Sequence, residues 1–315
     1  MSAALDVLEP GLFTTIQDRG RLGFMDIGVA PSGALDGLSL RSANVLVGND
    51  PGDAAFEMCR LGAKFRVAAE SIRFAFAGAE GRLTLDGEPI EFWRSHVARR
   101  GQVIHLAAIR GNVAYMAIQG GFAIEPVLGS LSTYTRSAIG GFHGRRLHAG
   151  DAVPLNQVEA RTGRNLALPH PVPAERGRPL RVVLGPHQEM FTDAAIRTLL
   201  TTPYTVTRDA DRIGVRLEGA PLEHAGAKEI VSDANTTGCM QVPGNGQPIA
   251  LMADRHSCGG YPKIATIITA DLHRLGQALP GTTLRFEAVA VEQAEAAAFL
   301  LAEAEAATFG RLREV

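Results

Sequence analysis

Between Asp254 and Lys263 the chain carries a carboxylate, a guanidinium, an imidazole, a thiol, a phenol and an ammonium, in the order Asp254-Arg255-His256-Ser257-Cys258-Gly259-Gly260-Tyr261-Pro262-Lys263. Gly259 and Gly260 let the backbone turn sharply and approach a ligand closely. Pro262 has no N–H and fixes how Lys263 re-enters the next element. Such a loop converges several donors and one anion on a single point, which suits a polar, negatively charged substrate. The same residues also read as a charged surface turn in which Asp254 and Arg255 pair with each other. Cys258 offers a nucleophile, although a lone cysteine is more often inert. His256 is the one histidine inside a dense polar loop.

Two further stretches carry polar groups at turn-forming spacing. Thr14-Thr15-Ile16-Gln17-Asp18-Arg19-Gly20 is followed by Gly28-Val29-Ala30-Pro31-Ser32-Gly33-Ala34-Leu35-Asp36. Gln17 both donates and accepts, and Asp18 can serve as anion or base; both also fit plain turns, as does Ser32 in Pro31-Ser32-Gly33. Gly129 to Arg136 is rich in hydroxyls and ends in one guanidinium, a composition that can hold phosphate or carboxylate. Asp209 to Gly214 reads equally as an anion contact or a solvated turn. The chain contains no G-x-x-x-x-G-K-[ST] and no G-x-S-x-G, which weighs against a P-loop and a hydrolase serine elbow. His143, His148 and His170 show no metal-ligand spacing, so no metal site is expected.

The elements that must position these loops read mainly as strands. Glycine numbers 35 of 315 residues, about 11% against a usual rate of roughly 7%, and without low complexity this implies many tight turns. Strand-like runs recur at 64–67, 71–76, 81–85, 103–107, 113–118 and 181–184, and others flank the polar loop at 248–252 and 264–268. Helical spacing is found at 39–47, closed by Gly48-Asn49, and at 291–309, which is rich in Ala and Glu. The proline-rich stretch 156–179 reads as a linker, giving a first domain at 1–155, a second at 180–290 and a C-terminal helix at 291–315. A net charge of -2 without a basic run argues against nucleic-acid binding. No secretory leader and no apolar run of about 20 residues is visible, so membrane insertion is not expected. Cys59, Cys239 and Cys258 are odd in number and unpaired in spacing, which points to a reducing, cytoplasmic location.

Four segments resemble a known family in the same order: PGLFTTIQDRGRLGFMDIGVAPSGALD (10–36), VLGSLSTYTRSAIGGFHGRRLHAGD (127–151), DRIGVRLEG (211–219) and QVPGNGQPIALMADRHSCGGYPKIATIITADL (241–272). The chain resembles the C subunit of bacterial 5-oxoprolinase, the Kip-type family also called allophanate hydrolase subunit 2. It is also similar to half of the carboxyltransferase domain of urea carboxylase. The resemblance implies a mostly β chain with two cyclophilin-like β-barrel domains and a few helices. It implies partnership with a B subunit of related fold and with an A subunit, in ATP-dependent opening of the 5-oxoproline lactam to glutamate. No cofactor is expected to be tightly bound; ATP acts at the level of the complex, on a partner.

On that reading Asp254, Tyr261 and Lys263 are the catalytic candidates, with Asp254 and Tyr261 moving protons. Arg255 or Lys263 clamps the substrate carboxylate. Gly259, Gly260, Gln17, Asp18, Ser32 and Arg136 are the remaining candidates for contact with the small-molecule substrate. His256-Ser257-Cys258 departs from the family pattern and is given no role. Two alternatives use the same fold: the carboxyltransferase subunit of a biotin-dependent urea or amide carboxylase, and a regulatory partner of a kinase-inhibitor protein.

Overall fold

The computed structural model describes residues 3–168 and 177–315. Strands account for 35% of the chain and helices for 16%, with a half-barrel sheet and a nearly closed barrel, so the expectation of a mostly β chain built from two barrel domains is met. Two compact units form: 3–21, 32–168 and 305–315 in the first, and 22–31 with 177–304 in the second.

In the first unit a ten-stranded sheet is organised by one long strand, Val103–Ile118. Its first half pairs with Lys64–Val67 and Gly81–Leu85, and its second half with Ala55–Leu61 and Ser71–Gly78. The two runs read separately in the sequence at 103–107 and 113–118 are thus one strand. Phe56, Phe65, Phe74 and Phe76 fill the interior, and Phe56 stacks on Phe65 at 4.9 Å between ring centres. Burying each such ring contributes about 2 kcal/mol. Helix Gly37–Val47 packs on the strands Ser71–Gly78 and Val103–Ile118. Asp36 caps it by accepting the Ser39 N–H, and Gly48 ends it in the left-handed conformation at φ 76°.

The boundaries differ from those expected. Residues 156–168 are tethered to the first unit although most of 156–164 is exposed: Arg73 donates to the Gly163 and Arg164 carbonyls and to the Asn165 side chain, and Leu166–Ala167 pairs with Arg313–Glu314. The helix Val291–Phe309 therefore gives way to a short strand instead of running to the C-terminus. The linker reading rested on four prolines, at 169, 171, 173 and 179, and on few β-favouring residues; the first three prolines lie outside the described residues.

In the second unit eight short strands run in the order 283–284, 204–206, 214–218, 249–251, 239–241, 263–267, 180–184, 286–288, all antiparallel except the last pair. Helix Asp193–Thr201, capped by Thr192, buries Ala195 and Leu199. Helix Val291–Phe309 sets Ala297 against Ile268 and Ala270. Asp271, 1% exposed, ties the strand Leu180–Leu184 in place by accepting from the Arg181 backbone and guanidinium, with Arg274 nearby. Among the described residues no helix is long and apolar enough to cross a membrane.

Burial alone would raise the Asp271 pKa, but the bonds from Arg181 outweigh it and hold the carboxyl below its usual 3.8. A depressed carboxylate stabilises the fold above its unfolded pKa and loses that contribution as pH falls through the lower folded value. Asp271→Asn should cost about 2 kcal/mol at neutral pH. The gap to wild type should close below about pH 4, as measured by urea unfolding across pH.

Candidate functional site

The polar loop is framed by sheet order. Strand Ile249–Leu251 leads into it and Lys263–Ile267 leads out, and Cys239–Gln241 lies between the two. The loop must therefore bridge one intervening strand, a span of about 10 Å. Gln241, which pairs with Ile249 on one side and Lys263 on the other, sits beneath it. The loop folds back through a two-stranded ribbon in which Gly259 faces Asp233 and Cys258 faces Ala234.

Asp254 and Arg255 do not pair with each other. Asp254 binds Arg212 through both oxygens, at 2.9 Å to Nε and 3.0 Å to the terminal nitrogen, and both side chains are buried. Its backbone N–H also donates to the Arg212 carbonyl at 2.8 Å. A carboxylate so engaged anchors the loop; the sequence reading gives Asp254 proton transfer and does not foresee this pairing.

Arg255 is 6% exposed and has no carboxylate within ion-pair distance among the described residues. It donates to the Asn235 carbonyl at 3.2 Å and contacts the Met252 carbonyl and Met25 Sδ, each at 3.5 Å. Burial pulls its pKa down, yet a guanidinium stays charged in proteins. A buried cation held only by neutral acceptors is suited to receive an anion.

Lys263 differs. Its ammonium is buried, with 1% of the side chain exposed, and bonds Asp233 Oδ2 at 2.6 Å. Asp233 is half-exposed, and its bond from Lys263 holds its pKa below the usual value. The backbone N–H of Lys263 donates to His187 Nδ1 at 3.3 Å, and His187 Nε2 lies 3.8 Å from the same Asp233 oxygen. Tyr261 is 40% exposed, with no hydrogen bond to its hydroxyl among the described residues. His256 and Cys258 are exposed; His256 contributes its carbonyl, which accepts from Asn235.

Gly259 has a packing reason. A Cβ there would lie 2.5 Å from Gln241 Nε2 and 3.0 Å from Asn235 Nδ2, and Gln241 Nε2 donates to Asn235 Oδ1 at 3.2 Å. Gly260 is less constrained; its carbonyl accepts from Ile230 N. Sequence reasoning missed Asp233, Asn235, Gln241 and His187, which the strand pairing brings to the loop from distant positions. Arg212 was visible as one member of an ambiguous turn and of the 211–219 segment, without a role.

The other candidates lie in the first unit, where Asp18 and Gln17 are held by internal hydrogen bonds. Asp18 accepts from Gly20 N, Leu131 N and the Ser130 and Ser132 hydroxyls, all within 2.5–2.8 Å. Gln17 donates to Thr15 and the Thr133 carbonyl and accepts from Gly33 N. Ser32 is 7% exposed and left-handed at φ 55°, and its hydroxyl has no hydrogen-bond partner among the described residues. Arg136 is exposed without an ion pair among the described residues.

Two substitutions separate anchoring from shaping. Asp18→Ala strands four donors and should cost about 3 kcal/mol in denaturant unfolding. Gly259→Ala displaces the flexible end of Gln241 and should cost about 1 kcal/mol or less in the same assay. Its main effect should be on ligand affinity, through the broken Gln241–Asn235 bond.

Comparison with known proteins is consistent with this architecture. The family described as carboxyltransferase domain, subdomain A and B, matches residues 27–288. The chain is 36% identical to the 5-oxoprolinase C subunit of Haemophilus influenzae, covering 92% of this chain and 93% of that one. It is 35% identical to the 5-oxoprolinase C subunit of Escherichia coli, with the same coverage. Among solved structures, the Kluyveromyces lactis urea carboxylase superposes with a TM-score of 0.90 at 28% identity, over 98% of this chain but only 29% of that longer one. A match over most of its length, together with full-length relatives above 30% identity, places this chain in the carboxyltransferase-domain family that includes the C subunit of 5-oxoprolinase.

Proposed function

We propose that this chain is the C subunit of a cytoplasmic, ATP-dependent 5-oxoprolinase that opens the 5-oxoproline lactam to glutamate together with the A and B subunits. The observation that carries the reading is Arg255, a buried guanidinium in the polar loop with no carboxylate of its own among the described residues. The substrate is a small cyclic amide bearing one carboxylate, and Arg255 receives that carboxylate bidentately. Tyr261, half-open to solvent, is the group free to pass a proton to the opening ring nitrogen. Asp254 holds Arg212 and, through it, the backbone that presents Arg255. The chain lacks a P-loop, so the nucleotide is assigned to a partner, where its chemistry activates the lactam carbonyl.

The structural likeness to urea carboxylase supports a second reading, carboxyl transfer to an amide. Biotin would then arrive on a separate carrier chain, because no Met-Lys-Met motif occurs here. Both readings place an amide at the same loop.

Co-expression with the A and B subunits, followed by an assay of ATP-dependent glutamate release, tests the first reading. Release should require this chain. Arg255→Ala should raise KM for 5-oxoproline by about 30-fold or more, the equivalent of about 2 kcal/mol. An assembled complex that releases no glutamate but incorporates bicarbonate label would move the assignment to carboxyl transfer.

A further inference from the structure

The Lys263–Asp233 pair raises a separate question, because its two ends lie in different environments. The ammonium is buried, whereas the carboxylate is half-exposed. Lys263 occupies Oδ2, and the other described contacts to the carboxylate are the Ala234 N–H and His187 at 3.8 Å. An ionised carboxylate offers about four acceptor positions, so capacity is left on the side that faces outward.

The charge balance decides what can use that capacity. Lys263 and Asp233 neutralise each other, so this end of the loop has no net attraction for an anion. It offers a hydrogen-bond acceptor, and a strong one, since bonds to ionised groups are about twice as strong as neutral ones. Anion affinity is left to Arg255, which is tied to the Asn235 carbonyl, just past the end of the ribbon strand that carries Asp233.

His187 sets the orientation. Its Nδ1 accepts the Lys263 backbone N–H, so the imidazole proton resides on Nε2, the nitrogen that faces Asp233 Oδ2. One oxygen of Asp233 is thus flanked by the ammonium and the imidazole, and the carboxylate plane has little freedom to turn.

We propose that Asp233 is a specificity-determining residue that accepts the amide N–H of the substrate, with Lys263 and His187 as the residues that position it. This rests on the reading of the loop as an amide-binding site and adds the group that recognises the nitrogen. A lactam and a urea both carry such an N–H, and their N-methylated counterparts do not.

The test is a binding measurement on the assembled complex, so that it is independent of lactam turnover. Calorimetry compares 5-oxoproline with N-methyl-5-oxoproline, and urea with tetramethylurea. Wild type should prefer the N–H member of at least one pair by tenfold or more. Asp233→Ala, and the double variant Asp233→Ala/Lys263→Met that leaves no lone buried charge, should reduce that preference to below about threefold. His187→Phe should weaken the preference without abolishing it. Equal binding within both pairs by wild type, no binding of any of the four, or a preference that survives in both Asp233 variants would overturn the proposal. So would tighter binding of N-methyl-5-oxoproline by Asp233→Ala, which would make Asp233 a competitor for a carboxylate site on Lys263. Glutamate release that fails while the N–H preference holds would reject the lactam-opening reading and keep this one.

Discussion

The polar loop of the second unit depends on the buried pairing of Asp254 with Arg212. Taking two charges out of water costs several kcal/mol each, and only bidentate geometry with further hydrogen bonds offsets it. Here both oxygens are used, and the Asp254 N–H to Arg212 carbonyl bond locks the two backbones together. With Asp254 committed to a partner 42 residues away, its sequence neighbour Arg255 cannot be neutralised by it. The pair thus does two things: it fixes where the loop begins, and it leaves the adjacent guanidinium without a carboxylate among the described residues.

Buried polar groups are engaged differently around Asp18 in the first unit and around the polar loop in the second. In the first, Asp18 takes four donors, and Glu57 accepts the Tyr115 hydroxyl at 2.5 Å and the Leu35 N–H at 2.9 Å. Burial, reinforced by the Glu57 charge, pushes the Tyr115 phenol well above its usual pKa, so it stays protonated and donates. Saturated networks of this kind rigidify what they hold, here the segment leading to the Asp36 cap. Ser32, in a left-handed conformation and with a buried hydroxyl lacking a partner among the described residues, is the exception in that segment. At the polar loop of the second unit Arg255 has no carboxylate partner among the described residues, and the neighbouring Asp233 keeps acceptor capacity.

Local signals in the sequence were reliable where the physics is local. Helix Gly37–Val47 was legible because its cap, apolar spacing and terminal glycine all lie within a dozen residues. Strand 81–85 and helix 291–309 were legible for the same reason. What could not be read depends on pairing across the sheet. Nothing near Asp233 announces that Gly259 will lie opposite it, or that Gln241 will pair with Lys263. Asp254 was legible as important, but its pairing was not, because Arg212, the residue that engages it, arrives on another strand connection. The linker was overdrawn for a related reason: proline density marks where helices and strands are disfavoured, not where Arg73 will find carbonyls to bind.

Family membership and site geometry constrain the chemistry from different directions. A chain similar at once to the C subunit of 5-oxoprolinase and to a urea carboxylase has relatives named for a cyclic amide acid and for a diamide without a carboxylate. A site that joined all its cations into one anion clamp would serve the first and be wasted on the second. On the proposed reading the charges are split: the mutually neutralised Lys263–Asp233 pair accepts an amide of either substrate, while Arg255, without a carboxylate among the described residues, adds affinity where a carboxylate is present. The distinction between Arg255 and Lys263 then follows from one local fact. Lys263 re-enters the sheet beside a ribbon that supplies Asp233, and Arg255 faces carbonyls and a thioether.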